Sequence, residues 1–536
     1  METKTKNGKG GKLYSGIKIL VFFCILFLLV GFAGKVVQRK ESVKKYSDFW
    51  ELSEQIDVLF FGSSHMLNGI NPLELYAEYG ITSYNMAKHG GMVTESYWML
   101  MNALDYCQPK CVVVDLWALD RDYQYIDLMD GNRTQDELDK SVSFFHDNID
   151  SWPLTKTKIA AVNDLISDYD IRKEFFWDFS MYHDRWSSVS AGDFKMAMGE
   201  KVGESRLGST PMYLTEPGFS VFQAQEIEEP LAYDTVCVKY LYKIIEECEK
   251  RDIEVIFTFM PMAESYEQDW LVVNTGEIIA AENDILFLNL LPHDSQNVID
   301  YELDMFDEGH ANNSGMKKLT SFVGKYLCEV DGIMDHREDP AYQKWEELVS
   351  KWQEDEHQRV LSESDLYLEL SMIYNLDSNG IIFMPGYSSA LQDDTVQKLI
   401  MQLAGTEAVL SAAEQNGPYL MIRDGSSGTM QVQEFVGEQQ IDSFASILGD
   451  TCYIGWNNFG AVYVNGDFEN NYLNMEEHYE TEVQIIILGQ GCSLLSAREL
   501  QSEIARMRES VQETIDMHRE SGKNYLLEHM PKELLD

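Results

Sequence analysis

The chain reads as an α/β protein built on a doubly wound sheet, and three observations predict it. Apolar runs at residues 57–61, 111–116 and 253–259 lack the polar alternation of a half-exposed strand. A strand buried on both faces of a parallel sheet has this character. Segments with helical spacing separate the runs, which is the alternation of a strand–helix–strand fold. Polar loops carrying glycine, serine, histidine and acid lie at or near strand ends, where open α/β sheets hold their ligands.

Taken in order, the first strand (57–61) stops at Gly62-Ser63-Ser64-His65. Asn71-Pro72 then opens a short helix over 72–79, with Pro72 at its first position and Gly80 at its end. A second strand at 81–85 leads into Ala87-Lys88-His89-Gly90-Gly91, a glycine turn, and a helix over about 95–106 leads to the third strand. Residues 120–230 break the rhythm. They are rich in Asp and aromatics, with helical spacing around 158–166 and 171–179, and suit a helical insertion acting as a lid. The alternation resumes with a helix over 233–250 and strands at 253–259 and 285–290. After Asp307-Glu308-Gly309-His310-Ala311-Asn312-Asn313-Ser314-Gly315, a helix over 315–330 closes the unit that began at 56.

Residues 331–360 are charged and contain tryptophan, as a solvated helical linker would. Residues 361–536 form an accessory α+β domain without a catalytic motif. Strands are expected there at 366–372, 380–384, 419–423, 452–455, 461–464 and 483–488, with helices at 391–404 and 496–519.

The length of 536 residues suits two or three domains, and 45% apolar content describes a globular chain. A formal charge of −47 repels nucleic acid and excludes that class of partner. Ten basic residues flank one uncharged run of 16 residues, Ile19 to Gly34, with five on each side. With Lys35 snorkelling, residues 19–37 make a transmembrane anchor preceded by a cytoplasmic tail at 1–18. A cleaved signal peptide is the competing reading, although Gly31 and Ala33 form no A-x-A site. Equal counts leave the positive-inside rule without a vote, so the short tail is placed inside and the body outside by convention. Eight cysteines without a C-x-x-C spacing indicate neither zinc nor a dense disulfide framework. Cys107 and Cys111 flank a turn and could pair; otherwise the cysteines read as buried thiols.

The two loop segments together suggest nucleophilic chemistry. A serine hydroxyl attacks only when an imidazole takes its proton and a carboxylate holds that imidazole. Either segment alone is weak, since a serine after a strand is commonly a helix cap and a lone histidine is commonly structural. Both fall near strand ends of one α/β unit.

FFGSSHMLNGINP resembles the first block of the SGNH (GDSL-like) hydrolases, with Gly62-Ser63-Ser64 in place of Gly-Asp-Ser. FDEGHANNSG resembles the last block, Asp-x-x-His. The His-x-Asn-x-x-Gly continuation (His310, Asn312, Gly315) is similar to the membrane-anchored branch of cell-surface acyl transfer. That branch holds the alginate-type O-acetyltransferases and the lipoteichoic acid D-alanyl-transfer protein. Tyr84-Asn85-Met86 with Gly90-Gly91 resembles the second block, and Tyr182-His183-Asp184-Arg185-Trp186 the helical insertion of anchored members.

The resemblance implies a flavodoxin-like parallel sheet with flanking helices over about 56–330. It implies Ser64 as nucleophile, with Ser63 its rival, His310 as general base and Asp307 as the orienting acid. Ser64, Gly90 or Gly91 would supply oxyanion amides, with Asn85 and Asn312 on the substrate side. It requires no metal or other cofactor. It also implies a cell-surface polysaccharide or acylated glycan as partner, and a multispanning membrane acyltransferase as supplier of the acyl group. The family's Gly-x-Asn-Asp block is missing; Asn163-Asp164 and Asn283-Asp284 lack the glycine. The expectation is thus a single-pass cell-membrane serine acyl-esterase or O-acyltransferase with an extracellular body. The alternative is a catalytically idle surface-glycan binding or scaffold protein, its aromatics near 176–186 stacking on sugar. A metal-dependent hydrolase lacks a ligand-spaced cluster.

Overall fold

The computed structural model describes residues 8–38, 40–121, 145–146, 148–166, 168–176, 183–200, 205–213, 221–231, 235–293, 298–425, 427–437, 441–447, 450–456, 462–464, 483–489 and 494–500. Helix α1 (Gly8–Val37) is followed by α2 (Lys40–Leu52). A five-stranded sheet comes next: β1 (Val58–Phe61), β2 (Ser83–Asn85), β3 (Cys111–Asp115), β4 (Glu254–Phe259) and β5 (Leu286–Asn289). Every pairing is parallel and the order is β2-β1-β3-β4-β5, a flavodoxin-like arrangement.

The helices of this unit are α3 (Ser64–Gly69), α4 (Pro72–Tyr79), α5 (Val93–Ala103), α6 (Lys156–Leu165), α7 (Tyr169–Glu174), α8 (Ala191–Ala197), α9 (Val236–Glu249), α10 (Glu267–Asn283) and α11 (Asn313–Leu327). Strands β1, β3 and β4 are mostly apolar because successive residues feed two cores. Leu59, Phe61, Val112, Val114, Val255 and Phe257 pack on one face, with residues of α2, α5, α9 and α10. Val58, Phe60, Cys111, Val113 and Ile256 pack on the other, with residues of α3 and α11.

A second unit follows. Its elements are α12 (Gln343–Val360), α13 (Leu366–Asn375), β6 (Gly380–Met384), α14 (Asp394–Ala404), α15 (Ala408–Gln415), β7 (Tyr419–Asp424), β8 (Gln431–Val436), β9 (Ile441–Ile447), β10 (Asp450–Trp456), β11 (Val462–Val464), β12 (Val483–Leu488) and β13 (Leu494–Leu500). The antiparallel sheet β8-β7-β6-β12-β13 shares a core with α13, α14 and α15, giving an α+β unit; β9-β10-β11 form a separate sheet.

Several elements differ from the sequence reading. Residues 366–372 are helix, not strand: Asp365 caps them through Leu368 N–H at 3.0 Å, and residues 366–373 are all buried. A helix buried on every side shows no apolar stripe against a polar face to reveal it. Residues 494–500 are strand where a helix over 496–519 was expected, and the rest of that span lies outside the described residues. The sequence reading also lacks α10. Gly276 sits inside it because a Cβ there would stand 2.6 Å from Leu116 Cδ1. Cys107 and Cys111 are free and buried rather than paired.

Residues 343–360 do not form a solvated linker. Trp345 is 0% exposed, its ring stacks on Tyr76 with centroids 5.7 Å apart, and Nε1 donates to Gln55 Oε1 at 3.1 Å. His336 Nε2 lies 2.7 Å from Asp57 Oδ2, fastening the chain ahead of α12 to the start of β1. Trp345→Ala is therefore expected to cost about 3–5 kcal/mol, the usual range for emptying a buried aromatic site. A lowered denaturation midpoint together with faster amide exchange in α12 would record it.

Candidate active site

The turn that carries Ser63 and Ser64 follows from one residue without a side chain. Gly62 ends β1 at φ +151°, and a Cβ there would lie 2.6 Å from Asp115 Cβ on the neighbouring strand. The close approach lets the chain turn straight into α3. Ser63 caps that helix, its Oγ accepting from His65 N–H at 3.3 Å, and is only 1% exposed. Ser64 is the first residue of α3 and is partly exposed. Of the two serines, only Ser64 reaches the histidine.

His310 and Asp307 share one loop on the opposite side. His310 Nε2 stands 2.7 Å from Ser64 Oγ, and Nδ1 stands 2.8 and 2.9 Å from the two carboxylate oxygens of Asp307. Asp307 Oδ1 also accepts from Gly309 N–H at 2.9 Å and His310 N–H at 2.8 Å. Although burial opposes ionisation, the His310 hydrogen bond and those two amides hold this carboxyl below its ordinary value of 3.8. Side-chain exposures of 26% for His310 and 37% for Asp307 leave the pair open to solvent.

Asp304 fixes the loop, a residue the sequence reading did not single out. Its buried carboxylate accepts from Ser314 Oγ at 2.8 Å, Lys318 Nζ at 2.6 Å and Asp300 N–H at 2.7 Å. Gly315 passes so close that a Cβ would stand 2.2 Å from Asp304 O. An acid three residues before Asp307 was the available signal, but it belongs to no recognised block.

The expected oxyanion residues divide. Ser64 N–H, at the first position of α3, has no acceptor among the described residues. Gly90 is exposed at φ +60°. Gly91 N–H donates to Lys88 O at 3.1 Å, and a Cβ on Gly91 would stand 2.2 Å from Gly62 O, so it serves packing. Asn85 and Asn312 do not face a substrate. Asn85 Nδ2 donates to Met66 O and Ile70 O at 2.9 and 3.0 Å, and its Oδ1 accepts from Ala87 N–H at 3.1 Å. Asn312 caps α11 through Ser314 and Gly315 N–H and donates to Leu303 O at 2.7 Å. Both side chains satisfy buried backbone, the usual duty of a buried amide.

Two further side chains lie against the site. The buried His65 ring sits edge-on between Trp117 and His310, with centroids 5.0 and 5.2 Å away. Burial and the nearby His310 push its imidazole down to about 3, so it stays neutral. Asp115 lies beneath the turn, accepting from Met260 N–H at 3.1 Å and Ser63 Oγ at 3.4 Å. It reads in sequence only as the polar end of a buried strand. On the α1 side, Lys45 of α2 donates to Ala87 O and Tyr84 Oη donates to Lys45 O, joining α2 to the glycine-turn segment.

Burial pushes the Asp115 carboxyl from 3.8 up to about 7. Its folded pKa lies above its unfolded one, so the folded state holds a proton that unfolding releases. This contribution is fully present below pH 3.8 and is lost as the pH rises to about 7. Asp115→Asn is expected to flatten that part of the stability profile, read from denaturation midpoints across the window. An unchanged slope would exclude Asp115 as its source.

No protein-family model matches the chain, and no curated protein sequence matches it. Among solved structures it is similar to a protein from Desulfitobacterium hafniense DCB-2 assigned to the G-D-S-L lipolytic family. That similarity has 10% identity and a TM-score of 0.24, and covers 50% of this chain and 97% of the other.

Proposed function

We propose that this protein is a membrane-anchored serine acyl-esterase or O-acyltransferase of the SGNH type, working through an acyl-Ser64 intermediate. The observation that carries the reading is the continuous relay from Ser64 Oγ to His310 Nε2 and from His310 Nδ1 to Asp307. In the proposed reaction Ser64 Oγ attacks an acyl carbonyl while His310 takes the hydroxyl proton, and Asp307 stabilises the imidazolium. The Ser64 and Gly90 amides receive the developing oxyanion. His310 then protonates the leaving oxygen. Water, or a sugar hydroxyl activated by the same imidazole, resolves the ester.

Anchoring rests on α1, whose span Tyr14–Val37 is 24 residues long and apolar enough to cross a bilayer. We place the body outside and take cell-surface polysaccharide or acylated glycan as its partner. If the reaction is transfer, a multispanning membrane acyltransferase supplies the activated acyl group. Only chemistry at Ser64 separates this reading from a glycan-binding scaffold.

Full-length protein treated with a fluorophosphonate probe is expected to label on Ser64. Ser64→Ala and His310→Ala should remove that labelling, whereas Ser63→Ala should keep it and lose about 1 kcal/mol of stability with the helix cap. A well-folded wild type that never labels would turn the assignment toward binding. Asp307→Asn should slow labelling roughly 10³–10⁴-fold without unfolding the protein, because the imidazole loses the partner that fixes its tautomer. A rate within about tenfold of wild type would remove Asp307 from the relay.

A further inference from the structure

The insertion grips the end of the apolar helix. Val36 and Val37 in the last turn of α1 are 1% and 0% exposed, whereas residues 14–29 are exposed. The cover includes α8 and the turn His183–Ser188, both of which contact α1. Arg185 Nη1 donates to Val37 O at 2.8 Å and Gln38 O at 2.6 Å, closing the helix end.

The depth of this contact follows from length. A hydrocarbon core of about 30 Å takes roughly 20 helical residues at about 1.5 Å each. Centred on the uncharged run between Lys18 and Lys35, such a span reaches to the Lys35–Val36 level. Whatever packs on Val36 and Val37 therefore lies at the boundary between acyl chains and headgroups.

The same pieces of the insertion expose large apolar side chains: Trp186 is 48% exposed, Phe194 43% and Met198 63%. A cleft of about 540 Å³ opens there, lined by Lys35, Gln38, Trp50, Trp152 and Met198 among others. Aromatic and methionine side chains beside a snorkelling lysine suit an interfacial lipid layer.

We infer that the insertion is a second membrane-contact element, with Trp186, Phe194 and Met198 seated in the headgroup–acyl boundary of the leaflet that α1 leaves. The inference rests on reading α1 as the anchor. It gives the body a fixed face toward the lipid, held by apolar contact in a chain whose charge of −47 offers an anionic surface no attraction.

The test uses the full chain in phosphatidylcholine nanodiscs containing lipids with nitroxides along their acyl chains. Leu26→Cys, Phe194→Cys and Tyr387→Cys each carry a fluorophore, on a background with Cys24, Cys328, Cys452 and Cys492 replaced by alanine. Tyr387 is exposed in the second unit and serves as the water-facing reference. Quenching at Leu26 and Phe194 at least about threefold above that at Tyr387 is the expected result. Quenching at Leu26 with Phe194 no different from Tyr387 would overturn the inference and leave the anchor standing. No quenching at Leu26 would overturn both.

Discussion

The site depends on the close packing of backbone around Gly62. The carbonyl of Gly62 accepts Lys88 N–H at 3.2 Å, Gly91 crowds against it, and the Asp115 side chain fills the space on the β3 side. The end of β1, the end of β3 and the turn that follows β2 thus meet at one residue with no room for a Cβ. Ser64 follows two residues later, so its place is set by the least deformable part of the sheet. A hydroxyl held this way has little positional freedom left to lose.

The partner loop is rigid for a different reason. Asp304 gathers a serine, a lysine and an amide, while Asn312 caps α11 and ties back to the Leu303 and Met305 carbonyls. Phe306 N–H and His310 O close the loop across itself at 2.7 Å. The 2.7 Å contact between Ser64 and His310 is therefore the meeting point of two frames organised independently, one by strands and one by a buried carboxylate. The intervening strands and the shared helical face on α3 and α11 hold the frames together.

The fold class was legible because residues 58–61 and 111–114 must be apolar on both faces, and that demand is written directly in residue type. Ser64, Asp307 and His310 were legible through short blocks with fixed spacing. Asp115 and Asp304 were not, since each works through tertiary contacts that no local pattern announces. Asn85 and Asn312 misled in the opposite direction: an asparagine beside a motif looks available, yet both are consumed by backbone groups that burial leaves without water. The polar strand β8, running Gln431–Val436 at a sheet edge, carries no apolar run to mark it, and α13 carries too much.

Only residues 38 and 39 separate α1 from α2, and α2 is embedded in the body through Tyr46, Phe49 and Leu52. Two residues reach about 7 Å when fully extended, and Gln38 is already held by Arg185. The body is thus a bracket rather than a tethered ball. Ser64 therefore keeps one fixed distance from the end of α1 and cannot sweep a volume around it.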